Sequence, residues 1–298
     1  MTSSYNTIGF FIVNKPADLT SHDVVSQIRQ ITNLKRVGHT GTLDPFATGV
    51  LLVPVGPATR LTEYTHSLSK TYEAQITLGA SSDTDDITGH ITDSSITLKP
   101  DKQTIENILK QLIGTLEQVP PAYAAIKVKG KKLYEYARQG KEVTTVPRSI
   151  IVHSIKLLEY SYPTMKIQTT VSTGTYIRAL ARDIGKELKT GAYLSILCRT
   201  AIGKFTIQDS VKLSDITAEN WLQHLHNAKD LVEHLPQIRL NETNVAKLQQ
   251  GREVPADQLA NLSEPQPVAI CNSNDELIGI ATYQPKTQSL SPQTIFPY

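Results

Sequence analysis

The spacing of apolar residues predicts both strands and helices in this chain. Between residues 70 and 79 every second side chain is apolar, beginning with Tyr72, as in a strand with one buried face. Between residues 105 and 113 the apolar side chains recur three and four positions apart, and the pattern stops at Gly114. That spacing predicts an amphipathic helix with a glycine at its end.

Weaker patterns of the same two kinds cover much of the remaining chain. Further strands are predicted over residues 8–13, 150–158, 165–171, 193–198, 268–271 and 277–283. Further helices are predicted over residues 24–31, 58–64, 177–188, 217–226 and 228–234, the first of them capped by Thr20 and Ser21. Trp221, in the fourth of these helices, is interpreted as a core residue.

Residues 36–57, RVGHTGTLDPFATGVLLVPVGP, predict a rigid loop that leads into a buried strand. Glycine reaches backbone angles closed to other residues, and proline fixes its own. Such a loop would hold one ionisable side chain, Asp44, in a fixed pose, with His39 five positions earlier. Taken alone, Leu-Asp-Pro is also an ordinary turn in which the Asp side chain bonds to its own backbone.

The segment GHTGTLDPFATGVL closely resembles the catalytic loop of the TruB family of pseudouridine synthases, which isomerise a uridine in the T arm of tRNA. The resemblance implies that Asp44 is the nucleophile. It also implies that His39 fills the space left when the target uridine is flipped out of its stack. A structural histidine with satisfied hydrogen bonds is the alternative for His39.

Five more segments extend the resemblance from residue 8 to about residue 240. The K-P-x-G-x-T-S pattern begins at Lys15 but has Asp18 where the family has Gly, and a D-T-x-D turn begins at residue 83. K-T-Y-E, G-T-Y-I-R and L-x-R-T imply that Tyr72 stacks on the target uracil, that Arg178 pairs with Asp44, and that Leu197 packs beside the base. Tyr176 of the G-T-Y-I-R motif and Lys15 are assigned to RNA binding.

Each of these residues also has an ordinary structural interpretation. Lys15 could be an exposed loop lysine, Tyr72 a core aromatic residue, and Arg178 a surface arginine in solvated pairs. A cation near the first turn of a helix opposes the helix dipole, which favours a carboxylate partner for Arg178.

Residues 119–148 break the periodic pattern and mix tyrosines with cations. Aromatic rings can stack on bases while Lys and Arg contact phosphates. The segment resembles the family's thumb insertion, here about 120–148, so RNA contacts are predicted for Lys127, Lys129, Lys131 and Lys132. Residues 120–148 and 178–204 together carry a net charge of +9, within a total of +2. The alternative is a solvated basic surface.

The resemblance implies an α+β class with the pseudouridine synthase fold: a mixed, largely antiparallel sheet flanked by helices, with the active site in a central cleft. Residues 1–235 would form this catalytic domain. From about residue 236 the elements shorten, and a strand, a polar turn and another strand predict a hairpin. Residues 236–298 resemble the small β-rich PUA domain, an RNA-binding module.

Composition restricts the chemistry further. No stretch is long and apolar enough for a signal peptide or a membrane span, and the two cysteines lie far apart without neighbouring histidines, so a cytoplasmic protein without a zinc site is expected. The acidic run over residues 83–93 lacks the spacing of a calcium loop. No cofactor or metal is expected, and the chain is expected to be a monomer.

The predicted function is isomerisation of uridine to pseudouridine at position 55, in the T arm of tRNA. Two alternatives remain at this point: a non-catalytic protein that binds or folds tRNA, and a synthase directed by a guide RNA.

Overall fold

The computed structural model describes residues 7–95, 98–123, 127–128, 131–132, 136 and 145–296. Its strands in chain order are β1 Gly9–Lys15, β2 Thr48–Val55, β3 Lys70–Leu78, β4 Ala80–Ser82, β5 Ile91–Asp93, β6 Gly114–Gln118, β7 Lys127–Val128, β8 Lys131–Lys132, β9 Arg148–Ser161, β10 Thr164–Val171, β11 Ala192–Ile202, β12 Phe205–Thr206, β13 Val211–Lys212, β14 Gln237–Arg239, β15 Val254–Pro255, β16 Gln266–Cys271, β17 Leu277–Gln284 and β18 Ser289–Ile295. The α-helices among these residues are α1 Ser21–Thr32, α2 Lys102–Gln111, α3 Ile177–Glu187 and α4 Glu242–Gln249.

A nine-stranded sheet in the order β13-β1-β2-β11-β3-β10-β9-β6 organises the first part of the chain, with β12 paired to β11. β1 pairs with β13, and β2 with β11, in parallel, whereas the other neighbours are antiparallel. This mixed, largely antiparallel sheet and its helices confirm the predicted α+β class. None of the described helices has the length and apolar character needed to cross a membrane.

The helical predictions succeed where periodicity is strong. Helix α1 begins after Thr20, whose hydroxyl accepts from the Asp23 amide while the Asp23 carboxylate accepts from the Thr20 amide. Helix α3 buries Ile177, Leu180 and Ile184 as expected.

Three of the predicted helices are 3-10 helices, and the last two are shorter than predicted. Residues 58–64 lie within a longer 3-10 helix, Gly56–Ser67, and the two predicted after residue 216 are short 3-10 turns, Trp221–His224 and Ala228–Val232. Just before the first of these turns the Thr217 amide donates to the Asn220 side chain, which donates in turn to the Asp215 carbonyl. Such bonds between side chain and backbone compete with helix formation.

The C-terminal residues form a second sheet of five strands in the order β14-β16-β17-β18-β15. The predicted hairpin is β16 and β17, joined by a turn in which the Asn272 side chain accepts from two backbone amides. One buried cluster joins this sheet to the first, because Phe10 and Ile12 of β1 belong to the same cluster as Ile280 and Phe296. The two sheets therefore share a hydrophobic interface.

The parallel pairing of β2 with β11 determines where the Asp44 loop lies. Thr48, the first residue of β2, pairs with Cys198, and Gly49 pairs with Arg199. The loop therefore enters the sheet at its centre. Strand β3, which carries Tyr72, lies on the other side of β11.

Candidate active site

The loop that carries Asp44 is fixed at several points along its backbone. The Gly38 amide donates to the Pro54 carbonyl at 3.0 Å, and the Thr40 amide donates to the Leu52 carbonyl at 3.1 Å. The Leu43 amide donates to the Ser21 hydroxyl at 2.9 Å, which ties the loop to the first residue of α1. Bonds at this density leave the backbone little freedom, as the glycines and the proline predict.

Asp44 pairs with Arg178, which confirms the predicted contact. Arg178 Nε lies 3.0 Å from Asp44 Oδ2, and Nη2 donates to Oδ1 at 3.2 Å. The Arg178 side chain is 6% exposed, whereas that of Asp44 is 32% exposed. The pair therefore consists of a buried cation and a carboxylate that remains partly exposed.

A second carboxylate, Asp86, contacts the same guanidinium. Asp86 Oδ2 lies 3.4 Å from Arg178 Nη1, and its side chain is 4% exposed. The Thr88 amide donates to Asp86 Oδ1 at 2.9 Å, and the Thr84 hydroxyl donates to it at 2.8 Å. Arg178 therefore lies between one accessible and one buried carboxylate.

Sequence reasoning did not identify Asp86. Its signal was the D-T-x-D turn, which is part of the resemblance and is rejected as a metal loop, but to which no role in the site was assigned. In the structure Asp86 pairs with Arg178, and the preceding residue, Asp85, accepts through Oδ2 from Arg182 Nη1 at 2.8 Å. Among the described residues no group of three or more His, Cys, Asp or Glu side chains is arranged to hold a metal ion.

Burial raises the pKa of Asp44 above its ordinary value. The Arg178 charge opposes this rise, the Asp86 charge adds to it, and the Lys15 charge opposes it more weakly. A carboxylate whose ionised form is less well solvated than in water is a stronger nucleophile and base. The site thus keeps Asp44 reactive and leaves Arg178 to stabilise its charge.

A buried apolar cluster includes the residues that immediately precede Asp44 and Arg178 in the chain. Tyr72 and Leu197, both predicted to contact the target base, belong to one buried cluster with Leu43 and Ile177. Leu43 immediately precedes Asp44, and Ile177 immediately precedes Arg178. Tyr72 is 8% exposed and Leu197 is 4% exposed, so both form part of a wall rather than a surface.

Tyr176 is held by Gln118, at the end of β6. The Tyr176 amide donates to Gln118 Oε1 at 2.9 Å, and Gln118 Nε2 donates to the Tyr176 carbonyl at 3.1 Å. Arg178 Nη2 also donates to the Tyr123 carbonyl at 3.3 Å. Residues 118 and 123, at the start of the basic insertion, are thus bonded to Tyr176 and Arg178 at the beginning of α3.

Lys15 is fully buried, which does not match the RNA contact assigned to it. Its ammonium donates to the carbonyls of Pro16, Leu19 and Pro45 at 2.8, 2.7 and 3.1 Å. All three protons are engaged, so a phosphate has no donor left to bind. Because Pro45 follows Asp44 directly, Lys15 instead fixes the catalytic loop. Desolvation lowers its pKa to about 8.

His39 is half-buried, and its Nδ1 is buried with no hydrogen-bond partner among the described residues. Burial lowers its pKa, and the charges of Arg199 and His22 lower it further. The neutral form of the ring is therefore favoured near pH 7.

The structure places the cations of the two predicted basic stretches differently. Lys127, Lys131 and Lys132 lie in the short paired strands β7 and β8, whereas Lys129 lies outside the described residues. In the second basic stretch, Arg178 and Arg199 are buried. That stretch is therefore not a continuous cationic surface, because its first and fifth cations are used inside the protein.

Two family models match adjoining parts of the chain. The TruB family pseudouridylate synthase N-terminal domain matches residues 29–177, and the tRNA pseudouridylate synthase B C-terminal domain matches residues 178–238. The first ends one residue before Arg178, so the Asp44–Arg178 pair joins the two matched regions.

Individual relatives extend the match to nearly the whole chain. A tRNA pseudouridine synthase B of Dehalococcoides mccartyi is 40% identical over 283 residues, covering 94% of this chain and 93% of the relative. One of Bacillus pumilus is 39% identical and covers 95% of each. A solved Cbf5-Nop10-Gar1 complex contains a chain that is 26% identical, with a TM-score of 0.76, covering 97% of this chain and 85% of that one.

These similarities extend beyond the Asp44 loop on both sides. The chain belongs to the TruB family of pseudouridylate synthases.

Proposed function

We propose that this protein isomerises uridine to pseudouridine at position 55, in the T arm of tRNA, with Asp44 as the nucleophile. The relatives named as tRNA pseudouridine synthase B support the substrate class. The observation that carries the proposal is the pairing of a reachable Asp44 with a buried Arg178. A protein that only bound RNA would gain nothing from an acid, which repels phosphate, at the centre of its cleft.

The reaction conserves atoms and oxidation state. The bond from uracil N1 to the sugar C1′ breaks, a bond from C5 to C1′ forms, C5 loses its proton, and N1 ends protonated. Asp44 could act by attacking the base, by attacking the sugar, or by promoting elimination at the sugar. All three require an ionised carboxylate, which Arg178 stabilises where water is scarce.

Tyr72 and Leu197 are proposed to enclose the detached uracil while it turns. Both belong to the buried cluster beside Asp44, so they would exclude water as well as position the ring. Water exclusion matters because a released uracil would make the protein a glycosidase. Tyr176 would complete this wall, and its pKa is raised, chiefly by burial, so its hydroxyl stays protonated.

A uridine stacked in a folded arm must leave its stack, at a cost of a few kcal/mol. We propose that His39 fills the vacated space. The insertion over 120–148 is proposed to bind the arm through its cations, and the C-terminal sheet to act as a PUA-like RNA-binding domain. Both cysteines are free, which fits a reducing cytoplasm.

The test is pseudouridine mapping in an unmodified tRNA transcript incubated with the pure protein and no other RNA. Conversion at position 55 is expected, and a transcript with cytidine at that position should remain unmodified. Conversion that requires an added guide RNA would support the guide-directed alternative. Tight binding without conversion would support the binding protein.

A further inference from the structure

Arg199 on β11 is 1% exposed, and its guanidinium donates to three backbone carbonyls among the described residues. Nε donates to the Val50 carbonyl at 2.7 Å, Nη2 to the Gly41 carbonyl at 3.0 Å, and Nη1 to the Thr42 carbonyl at 3.4 Å. Gly41 and Thr42 precede Asp44, and Val50 follows it. One planar group thus holds both ends of the loop that carries the nucleophile.

The backbone of Arg199 contacts the same loop. Gly49 pairs with Arg199 in the sheet and has a φ of +104°, where residues other than glycine are strained. A Cβ atom at Gly49 would lie 2.2 Å from the Arg199 carbonyl oxygen. Gly49 is therefore required for this close approach. The loop is fixed to Arg199 by both side chain and main chain.

A residue that only filled this part of the core would not need a charge. Within the described part of the chain no carboxylate oxygen lies within 4.0 Å of the Arg199 guanidinium. A buried charge without a counter-ion is expensive, and an apolar side chain of similar volume is usually tolerated at least as well. Arg199 also lowers the pKa of Lys70 and of His39, as an uncompensated cation would.

The guanidinium is suited to this arrangement because its donors point in fixed directions within one plane. Three carbonyls bound to one such plane cannot move independently. A lysine at the same position would carry the charge but could not bridge both ends of the loop with the same geometry. The geometry, more than the charge alone, is what the loop requires.

We propose that Arg199 is a positioning residue of the reaction, which sets the pose of Asp44 by holding the two ends of its loop at a fixed separation. The role rests on the proposed function, since it acts through the nucleophile. Displacing a reacting group by about 1 Å can reduce a rate by about 100-fold. Loss of Arg199 should therefore affect the chemical step rather than the binding of RNA.

The test compares Arg199→Met, Arg199→Lys and Leu231→Ala with the wild type. Leu231 is fully buried in the cluster between the two sheets, so its truncation destabilises the fold but removes none of the loop's hydrogen bonds described above. All four proteins are assayed well below their melting temperatures, by single-turnover conversion at saturating tRNA and by RNA affinity. Arg199→Met should lose about 100-fold in rate with affinity within about threefold, and Arg199→Lys should recover part of the rate.

Hydrogen exchange supplies a readout that needs no activity. The Thr40 amide donates to the Leu52 carbonyl, and the Ala47 amide donates to the Asp44 carbonyl. Both amides should exchange faster in either Arg199 variant, whereas their exchange rates should be unchanged in Leu231→Ala. Should Arg199→Met fail to fold, Arg199→Lys gives the same comparison. The proposal would be overturned if an Arg199 variant turned over at the wild-type rate, or if Leu231→Ala lost as much rate as the Arg199 variants. Unchanged hydrogen exchange at Thr40 and Ala47 in the Arg199 variants would also overturn it. A wild type that leaves tRNA unmodified would refute the proposed function, while the exchange data would still test the loop contact.

Discussion

Replacing Asp86 with Asn removes one of the two carboxylates that hold Arg178. The amide retains an oxygen for the Thr88 amide and the Thr84 hydroxyl, both of which donate to Asp86 Oδ1. What it loses is the charge facing Arg178 Nη1 at 3.4 Å. The turn should persist while one side of the guanidinium loses its ionic partner.

The magnitude follows from the separation of the charges. Unit charges 3.4 Å apart attract by about 5 kcal/mol at an effective dielectric constant of 20, an upper bound for this pair. Arg178 keeps Asp44, so it is not left unpaired, and the loss should approach that of a hydrogen bond to a charged group. We expect the free energy of unfolding to fall by about 1–3 kcal/mol.

The effect on catalysis has two parts with different pH dependence. A less constrained Arg178 should reduce the plateau rate of single turnover, by about 10-fold to 100-fold, or 1.4–2.8 kcal/mol. The Asp86 charge raises the pKa of Asp44, so its removal lowers that pKa. Because the proposed reaction requires ionised Asp44, the rate should fall as the pH drops through its pKa, and in the variant this fall should begin at a lower pH.

The assay is single-turnover conversion of tRNA across the acidic range, with urea unfolding of the same proteins. Asp83→Asn is the matched control, because Asp83 lies in the same acidic turn, is exposed, and accepts from the His90 amide rather than from Arg178. An Asp86→Asn profile that coincides with that of the control would refute the role given to the second carboxylate.

Three further predictions follow from the structure. Lys15 has a pKa of about 8 in the folded chain against 10.5 unfolded, so between these values only the unfolded chain holds the proton and stability rises with pH. Urea unfolding at pH 8 and pH 10 should show the free energy of unfolding rising by up to about 1.4 kcal/mol per pH unit. This rise should be smaller in Lys15→Met, and an equal rise in both proteins would contradict the prediction. Asp18 has a φ of +66°, so Asp18→Gly should change the unfolding free energy by less than about 1 kcal/mol, whereas Asp18→Val should cost clearly more in the same assay. Replacing residues 124–144 with a short Gly-Ser link, which retains the Tyr123 contact, should lower the salt dependence of tRNA binding by about 0.7 per lost phosphate contact, and an unchanged slope would show that this segment does not bind RNA.

Local patterns were sufficient to predict most of the regular elements. Alternation in β3 placed Tyr72 on the buried face, and helical spacing located α2 and α3, because both patterns reflect one-sided burial. The 3-10 turns after residue 216 were predicted as longer helices, because the spacing of apolar residues does not reveal the competing bonds between polar side chains and the backbone. The Asp44 loop was predicted from its glycines and proline, whose backbone preferences are also local.

The contacts around Arg178 and Lys15 were harder to predict, because they depend on segments far apart in sequence. Asp86 meets Arg178 only because the turn after β4 packs against α3. Lys15 breaks the rule that lysines are exposed, and it does so because three carbonyls converge on its ammonium. Neither composition nor periodicity encodes such convergence. The resemblance supplied the Asp44–Arg178 pair but neither the second carboxylate nor the buried role of Lys15.

The most direct test of the central claim is the Asp44→Asn variant, assayed for pseudouridine in tRNA and for tRNA affinity side by side. The substitution retains the volume of the side chain and an acceptor oxygen, but removes the charge that Arg178 faces at 3.0 Å. The predicted result is loss of conversion by several orders of magnitude, with affinity within about tenfold, or 1.4 kcal/mol, of the wild type. Conversion at near the wild-type rate would contradict the account, because Asp44 would then be only a turn residue.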